Sequence, residues 1–277
     1  MKLIDFDGLF DEKLTQFMEE NKNKYTEKQW EDIIPKLYKK FGDTYVAKVK
    51  CTPKEYYAKM SDKELVQTLC AHLDMDIPTP EFLCAEIEKR GETQTLLPLL
   101  QGESETAALY ALNLIGEDEA AFDTYFTILT ENRFTEDVRS DITDIFRLHA
   151  DELKDRVFAA YQENKGAEYM LEILSRVKTR DEKVFQTLLS AFLSGEETPV
   201  RAGYLAAYGD ERALPYLTDK IEDKTISFVE FQELKYAIEA LGGEYDDPRD
   251  FSDDKDYIAV EAASIKATTP TENGLKN

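Results

Sequence analysis

The residues of this chain best suited to chemistry are its only two histidines, His72 and His149, and its three cysteines. Thiolates and imidazoles bind zinc, and Cys70, His72 and Cys84 come closest to such a ligand set. Residues two apart on a helix point in different directions, and the spacing fits no known zinc pattern. We therefore predict structural roles for Cys70, as a core residue, and for His149, at the end of a helix, and we predict no metal site.

A second candidate is the acidic segment after Gly243, which could attract calcium weakly. It lacks the spacing and the central glycine of an EF-hand loop, so a solvated tail explains it better. The chain also contains no glycine-rich dinucleotide-binding or phosphate-binding loop and no nucleophile elbow. We therefore predict no catalytic residue and no cofactor, and we favour a binding protein over an enzyme.

The charge of the chain restricts its partners. The net charge is −23, and residues 101–150 carry eleven acidic side chains against three arginines and no lysine. Such a field repels nucleic acid and anionic lipid and attracts a basic protein or peptide, although solubility alone also explains it. We see no secretory signal and no apolar run long enough for a bilayer. With an odd number of cysteines, these features predict a cytoplasmic protein with neither a membrane nor a nucleic-acid partner.

Tyrosines and exposed acids are the candidate contacts for such a partner. Tyrosine is favoured in binding surfaces because it is large, stiff and amphipathic, but it is also common at the edge of a core. The residues predicted to bind a partner are Tyr110, Tyr161, Tyr204, Tyr208, Glu105 and Asp141.

The elements that would position these residues follow a repeat. A phrase beginning Asp-Glu recurs at Asp118, Asp151, Asp181 and Asp210, at intervals of 33, 30 and 29 residues. Each copy opens a stretch of helix-period hydrophobic residues, and each aspartate is predicted to be a helix N-cap. A period near 30 with two helices per unit is typical of an α-solenoid.

One copy carries a more specific pattern. The heptapeptide Gly-Asp-Glu-Arg-Ala-Leu-Pro at residues 209–215 resembles the HEAT-like repeat of phycobilin lyases and many bacterial scaffolds. Pro98 and the Gly-Glu-Asp-Glu segment at 116–119 keep parts of the pattern. The resemblance covers residues 91–243 and implies an α-α superhelix with a concave binding surface. The same family includes lyases and DNA glycosylases, and the acidic charge argues against the latter.

The remaining chain divides into two parts. Residues 1–90 are predicted to be helical and non-repetitive and carry no recognisable family motif; residues 244–277 are predicted to be an acidic, largely disordered tail. The helix after Thr26 should have an apolar face that runs from Trp30 to Phe41. Seven side chains of the repeat region are predicted to lie in its core: Leu97, Leu112, Phe126, Phe146, Leu174, Leu189 and Leu217.

Together these patterns predict an all-α protein with a HEAT-like solenoid and a helical N-terminal region. Its predicted function is a non-catalytic scaffold that binds a basic protein or peptide on an acidic solenoid surface. A lyase-like enzyme on the same scaffold and a homodimeric solenoid remain alternatives. The partner, the biological process and the oligomeric state are left open by the sequence.

Overall fold

A computed structural model of the chain describes residues 3–268. The described residues form sixteen α-helices and two short 3₁₀ helices, with no β-strand. This confirms the predicted all-α class. The chain divides into two compact units at Ile142.

The first unit consists of short and medium helices. Their bounds are α1 (Phe6–Glu20), α2 (Glu27–Phe41), α3 (Pro53–Ala58), α4 (Asp62–Asp74), α5 (Glu81–Arg90), α6 (Thr93–Gln101), α7 (Glu105–Ile115) and α8 (Phe122–Thr130). A 3₁₀ turn at Glu119–Ala121 leads into α8, and α9 (Glu136–Leu148) crosses the boundary between the units.

The second unit continues with helices of similar length. Their bounds are α10 (Ala150–Gln162), α11 (Ala167–Leu174), α12 (Glu182–Leu193), α13 (Thr198–Tyr208), α14 (Leu214–Ile221), α15 (Phe228–Ala240) and α16 (Lys255–Thr268), with a 3₁₀ turn at Glu211–Ala213 before α14. Helices α10 to α15 pack as three consecutive pairs, and α13 also packs against α11 and α15. The second helices of successive pairs are therefore in direct contact.

Local sequence signals explain where many helices begin. Four helices start with a reciprocal capping box, in which two side chains satisfy backbone N–H groups that have no partner within the helix. These boxes are formed by Thr26 with Gln29, Thr52 with Glu55, Ser61 with Glu64 and Ser227 with Glu230. In the same way the side chains of Asp118, Asp181 and Asp210 cap their own helices, as predicted.

Asp151 is the exception to the repeated cap, and that prediction was wrong. Helix α10 begins at Ala150, and His149 occupies the N-cap position without a side-chain cap. The carboxylate of Asp151 instead accepts hydrogen bonds from the backbone N–H groups of Lys178 and Thr179, in the turn before α12. Asp151 therefore still accepts backbone hydrogen bonds, but from the turn before α12 and not from the start of its own helix.

The core of the repeat region agrees with the sequence except at one residue. Six of the seven predicted core side chains are buried, whereas Leu97 is only half-buried. The buried face of α6 is formed by Thr93, Leu96 and Leu100, which recur at helical spacing. Leu97 lies one position further round the helix, so the predicted phase of α6 was off by one residue.

Part of the predicted tail is structured. Residues 244–254 contain no helix, but the guanidinium of Arg249 donates to the carbonyl of Ile221 at 2.6 Å, and the ring of Phe251 packs on Phe228. Helix α16 then follows, with Tyr257 against Phe228. The described part of residues 244–277 is thus more ordered than the sequence predicted, and residues 269–277 lie outside the described residues.

Candidate functional site

The exposed side of α13 differs from the other helix surfaces of the second unit. Four residues at helical spacing lie along one side of α13, and they are Val200, Gly203, Tyr204 and Ala207. Val200 and Ala207 are exposed, and Gly203 and Tyr204 are half-buried. Val200 is 45 % exposed. None of the four carries a charge, in a chain with 57 acidic residues. We call these four residues the α13 strip.

The sequence of α13 explains why this face points outwards. Thr198, Arg201, Ala202, Leu205 and Tyr208 form the buried side. A proline stands in the first turn, where its missing N–H costs nothing, and a left-handed glycine ends the helix after Tyr208. The buried residues therefore determine the orientation of the helix and leave the α13 strip on the surface.

Gly203 is the least expected residue of the strip. Glycine within a helix costs about 1 kcal/mol of stability relative to alanine. A Cβ atom added to Gly203 would meet no atom within 4 Å, and the backbone there is not left-handed. Neither packing within the chain nor backbone conformation accounts for this glycine.

A set of ion pairs borders the strip. The guanidinium of Arg201 bonds to Glu168 on α11 at 2.5 Å and also to the carbonyl of Ala191 at 2.9 Å. Arg147 reaches Glu172, also on α11, at 3.2 Å. Arg201 is buried and also anchored by a backbone carbonyl, so its ion pair holds the carboxylate of Glu168 beside α13.

Tyr204 is the residue of the α13 strip that lies close to these charges. It is half-buried, and its pKa is raised above the ordinary value, first by burial and then by the negative charges of Glu172 and Glu168. The phenol therefore remains protonated at neutral pH. It presents an apolar ring with one hydroxyl donor, a combination that suits a partner with both apolar and polar groups.

Helix α15 adds two large apolar residues to the surface of the neighbouring pair. Tyr236 is 64 % exposed and Val229 is 41 % exposed. Glu233 and Glu239 are exposed on the same helix. The exposed residues of α15 thus include both apolar side chains and carboxylates.

The predicted tyrosines of the second unit differ in burial. Tyr161 is half-buried on α10 and lies close enough to Arg201 to affect its pKa, so Tyr161 and Tyr204 are near the same ion pairs. Tyr208 is only 5 % exposed. Its hydroxyl donates to the carbonyl of Asp181 at 3.0 Å and accepts from the N–H of Asp181 at 2.8 Å. Tyr208 is therefore a structural residue, and we remove it from the candidate surface.

The other three predicted residues belong to the first unit. Tyr110 is half-buried on α7, and Asp141 is exposed on α9. Glu105 accepts a hydrogen bond of 2.5 Å from the hydroxyl of Thr135. Glu105 thus links α7 to the residue before α9. Tyr204, in contrast, belongs to the second unit.

The sequence analysis missed a partly buried polar cluster in the first unit, formed by Asp7, Tyr38 and His72. The hydroxyl of Tyr38 donates to Asp7 at 2.5 Å, and burial raises the pKa of that carboxyl. His72 is 0 % exposed, and neither of its ring nitrogens has a hydrogen-bond partner. Asp7 and Tyr38 are 31 residues apart, and no sequence pattern links them. The cluster could therefore not be predicted from the sequence.

Two of the three cysteines, Cys70 and Cys84, are poorly suited to act as nucleophiles. Burial raises the pKa of Cys84 to about 11 and also raises that of Cys70. The thiolate is the reactive form, so both residues are poor nucleophiles near neutral pH. Among the described residues, no group of three or more histidine, cysteine, aspartate or glutamate side chains is arranged to hold a metal ion.

Comparisons with protein-family models, with curated proteins and with solved structures found no match to this chain. None of the helices within residues 3–268 is long and apolar enough to cross a membrane.

Proposed function

We propose that this protein is a non-catalytic interaction scaffold that binds a basic protein segment on the α13 strip. The observation that carries the proposal is the apolar, exposed side of α13 in a chain of net charge −23. An exposed apolar surface that is bordered by charge is typical of a protein-binding site.

The proposed architecture is the HEAT-like α-α superhelix over residues 91–243. In its favour, polar contacts in the second unit join residues about one repeat apart. Lys154 pairs with Asp181 at 27 residues of separation, Arg212 with Glu182 at 30, and Arg201 with Glu168 at 33. Contacts between successive units are what a repeat protein requires, because each unit is stabilised mainly by its neighbours.

The proposed occupant is an apolar side chain flanked by lysine or arginine. Val200, Gly203 and Ala207 offer a shallow apolar surface, and the missing side chain at Gly203 allows close approach of another backbone. Glu233 and Glu239 on α15 are exposed acids of the adjoining helix. Such a surface would attract a basic segment at long range and hold it by apolar contact.

No observation among the described residues favours the lyase-like alternative. The homodimeric alternative is an outcome of the experiment that follows.

Photocrosslinking tests this proposal with the full chain. A photoreactive amino acid replaces Ala207 on the strip or, as a control, Ser190, which is exposed on α12. After irradiation in the native cell, crosslinked segments are identified by mass spectrometry. We expect the photoreactive group at position 207 to capture one discrete basic segment that the group at position 190 does not capture. In a pull-down without crosslinking, Ala207→Arg should no longer recover the same protein, because the added positive charge repels the basic segment.

Other products would reject the proposal. Equal products from both positions indicate nonspecific contact, and acidic segments or nucleic acid contradict the charge argument. Crosslinks between two copies of this chain would favour the homodimer.

A further inference from the structure

A small cleft lies between the first two helices. Its volume is about 200 Å³. The lining residues come from α1, α2 and the turn after α2, and they are Phe10, Lys13, Leu14, Phe17, Leu37, Lys40, Phe41 and Thr44. Three phenylalanines and two leucines make the interior of the cleft apolar.

This cleft interrupts the apolar face that the sequence predicts for α2. Of that predicted face, only Phe41 is buried, while Trp30, Leu37 and Tyr38 are half-buried. On α1, Leu14 and Phe17 are also half-buried. The two helices thus meet without closing the apolar surface between them, and an apolar group placed there would remove it from water.

The charge at the rim of the cleft is positive. Lys13 from α1 and Lys40 from α2 are exposed at its edge, and no carboxylate belongs to the lining. The ammonium of Lys13 lies over the ring of Phe41, 5.2 Å from its centroid. In the part of the chain that the structure describes, neither lysine forms an ion pair. The rim therefore selects an anion, although the chain as a whole is strongly acidic.

We propose that this cleft binds a small carboxylate whose apolar part is about the size of one aromatic ring. The volume supports this size, because an engineered apolar cavity of about 150 Å³ in another protein binds benzene. The apolar part would occupy the space between Phe10, Leu14 and Leu37, and the carboxylate would lie at the rim between Lys13 and Lys40. The ammonium groups stay hydrated there, so their pairing with the ligand carries little desolvation cost.

The protein contains its own reporter for this site. Trp30 is the only tryptophan, and its ring packs edge-on against Phe17 of the cleft at 6.1 Å between centroids. A ligand that moves Phe17 or displaces water from it changes the emission of Trp30. The full chain is titrated with phenylpropionate, and binding is monitored by the change in Trp30 fluorescence.

Two comparisons test the role of the lysines. Phenylpropanol has the same ring and chain as phenylpropionate but no charge, and we expect it to bind about tenfold more weakly, as two exposed charge pairs would predict. The double variant Lys13→Gln with Lys40→Gln should bind the acid about tenfold more weakly and the alcohol unchanged. The matched control, Lys36→Gln with Lys48→Gln, makes the same change in net charge at exposed lysines outside the cleft and should bind like the wild type.

The proposal would be overturned by the absence of a saturable change in Trp30 emission with phenylpropionate. Equal affinity for the acid and the alcohol, or equal losses in the two double variants, would also overturn it. Vesicles of phosphatidylglycerol distinguish a free carboxylate from a membrane surface. A response to vesicles without a response to phenylpropionate would show that the lysines recognise a lipid surface, which contradicts a site for a small ligand.

Discussion

The carboxylate of Asp151 accepts a hydrogen bond of 2.9 Å from the backbone N–H of Thr179, 28 residues further along the chain. Its second oxygen accepts from the N–H of Lys178 at 3.1 Å. One side chain near the start of α10 thus fixes the turn that leads into α12. The link joins two successive helix pairs at about the interval of the sequence repeat.

Asp151→Ala should destabilise the second unit. The substitution leaves two backbone N–H groups without their acceptor, and by analogy with helix caps the expected cost is about 1 kcal/mol. The measurement is the free energy of unfolding in urea. Asp155→Ala is the matched control, because Asp155 is exposed on the same helix and should change stability by less than about 0.5 kcal/mol.

The effect of Asp151 should also depend on pH in a defined direction. The hydrogen bonds from Thr179 and Lys178 hold the pKa of Asp151 below its ordinary value. Its contribution is therefore fully present above pH about 4 and is lost as the pH falls through the lowered pKa. A difference between Asp151→Ala and wild type that grew on acidification would contradict this account.

Asp7→Asn should show the opposite dependence on pH. Burial raises the pKa of Asp7, so the folded protein holds this proton at a pH where the unfolded chain has released it. The stability of the wild type therefore falls as the pH rises from about 4 through the raised pKa. Relative to wild type, Asp7→Asn should gain stability over that interval and then show a constant difference.

The control for Asp7 is Asp11→Asn, an exposed aspartate on the same helix. Unfolding in urea at a series of pH values measures both variants. If the two variants show the same profile, the titration of Asp7 does not contribute to stability in the way proposed.

Replacement by alanine should have opposite effects on stability at two glycines of the second unit. At Gly203 the new Cβ meets no atom, so Gly203→Ala should stabilise the protein by about 0.5–1 kcal/mol. Gly209 has a φ of 73° at the end of α13, and Gly209→Ala should destabilise by about 1 kcal/mol or more. Thermal unfolding measures both. A loss of stability in Gly203→Ala would reveal a packing role for this glycine and weaken the argument for the α13 strip.

Two leucine-to-alanine variants test the packing of the core, one at a buried position and one at a half-buried position. Leu217→Ala should cost about 2–5 kcal/mol, because Leu217 is fully buried and a cavity remains. Leu97→Ala should cost less than about 2 kcal/mol, since Leu97 is only half-buried. Urea unfolding measures both, and equal losses would show that the orientation of α6 is wrong.

Much of the fold could be predicted because its signals are local. The repeated aspartates Asp118, Asp181 and Asp210 cap helices as predicted, and helix-period hydrophobic residues follow each of them. The failures depend on tertiary structure. His149 became an N-cap because α9 and α10 are separated by that residue alone, and the phase of α6 was decided by the helices that cover it.

The candidate site could be predicted less well for the same reason. Tyr204 and Tyr208 are four residues apart on α13 and look equivalent in the sequence. Tyr208 is buried and its hydroxyl bonds to the backbone of Asp181, whereas Tyr204 is only half-buried and belongs to the α13 strip. The pairing of Tyr38 with Asp7, and the cleft beside α2, likewise depend on how separate helices meet.

The most direct test of the scaffold proposal is the affinity of the captured basic segment, prepared as a labelled peptide, for wild type, Ala207→Arg and Ser190→Arg. Fluorescence anisotropy measures each dissociation constant at low and at physiological salt. The α13 strip predicts that Ala207→Arg weakens binding by about tenfold or more, that Ser190→Arg changes it little, and that the wild-type affinity falls as salt rises. Equal affinities for the two arginine variants, or an affinity that does not change with salt, would contradict a basic segment bound on α13.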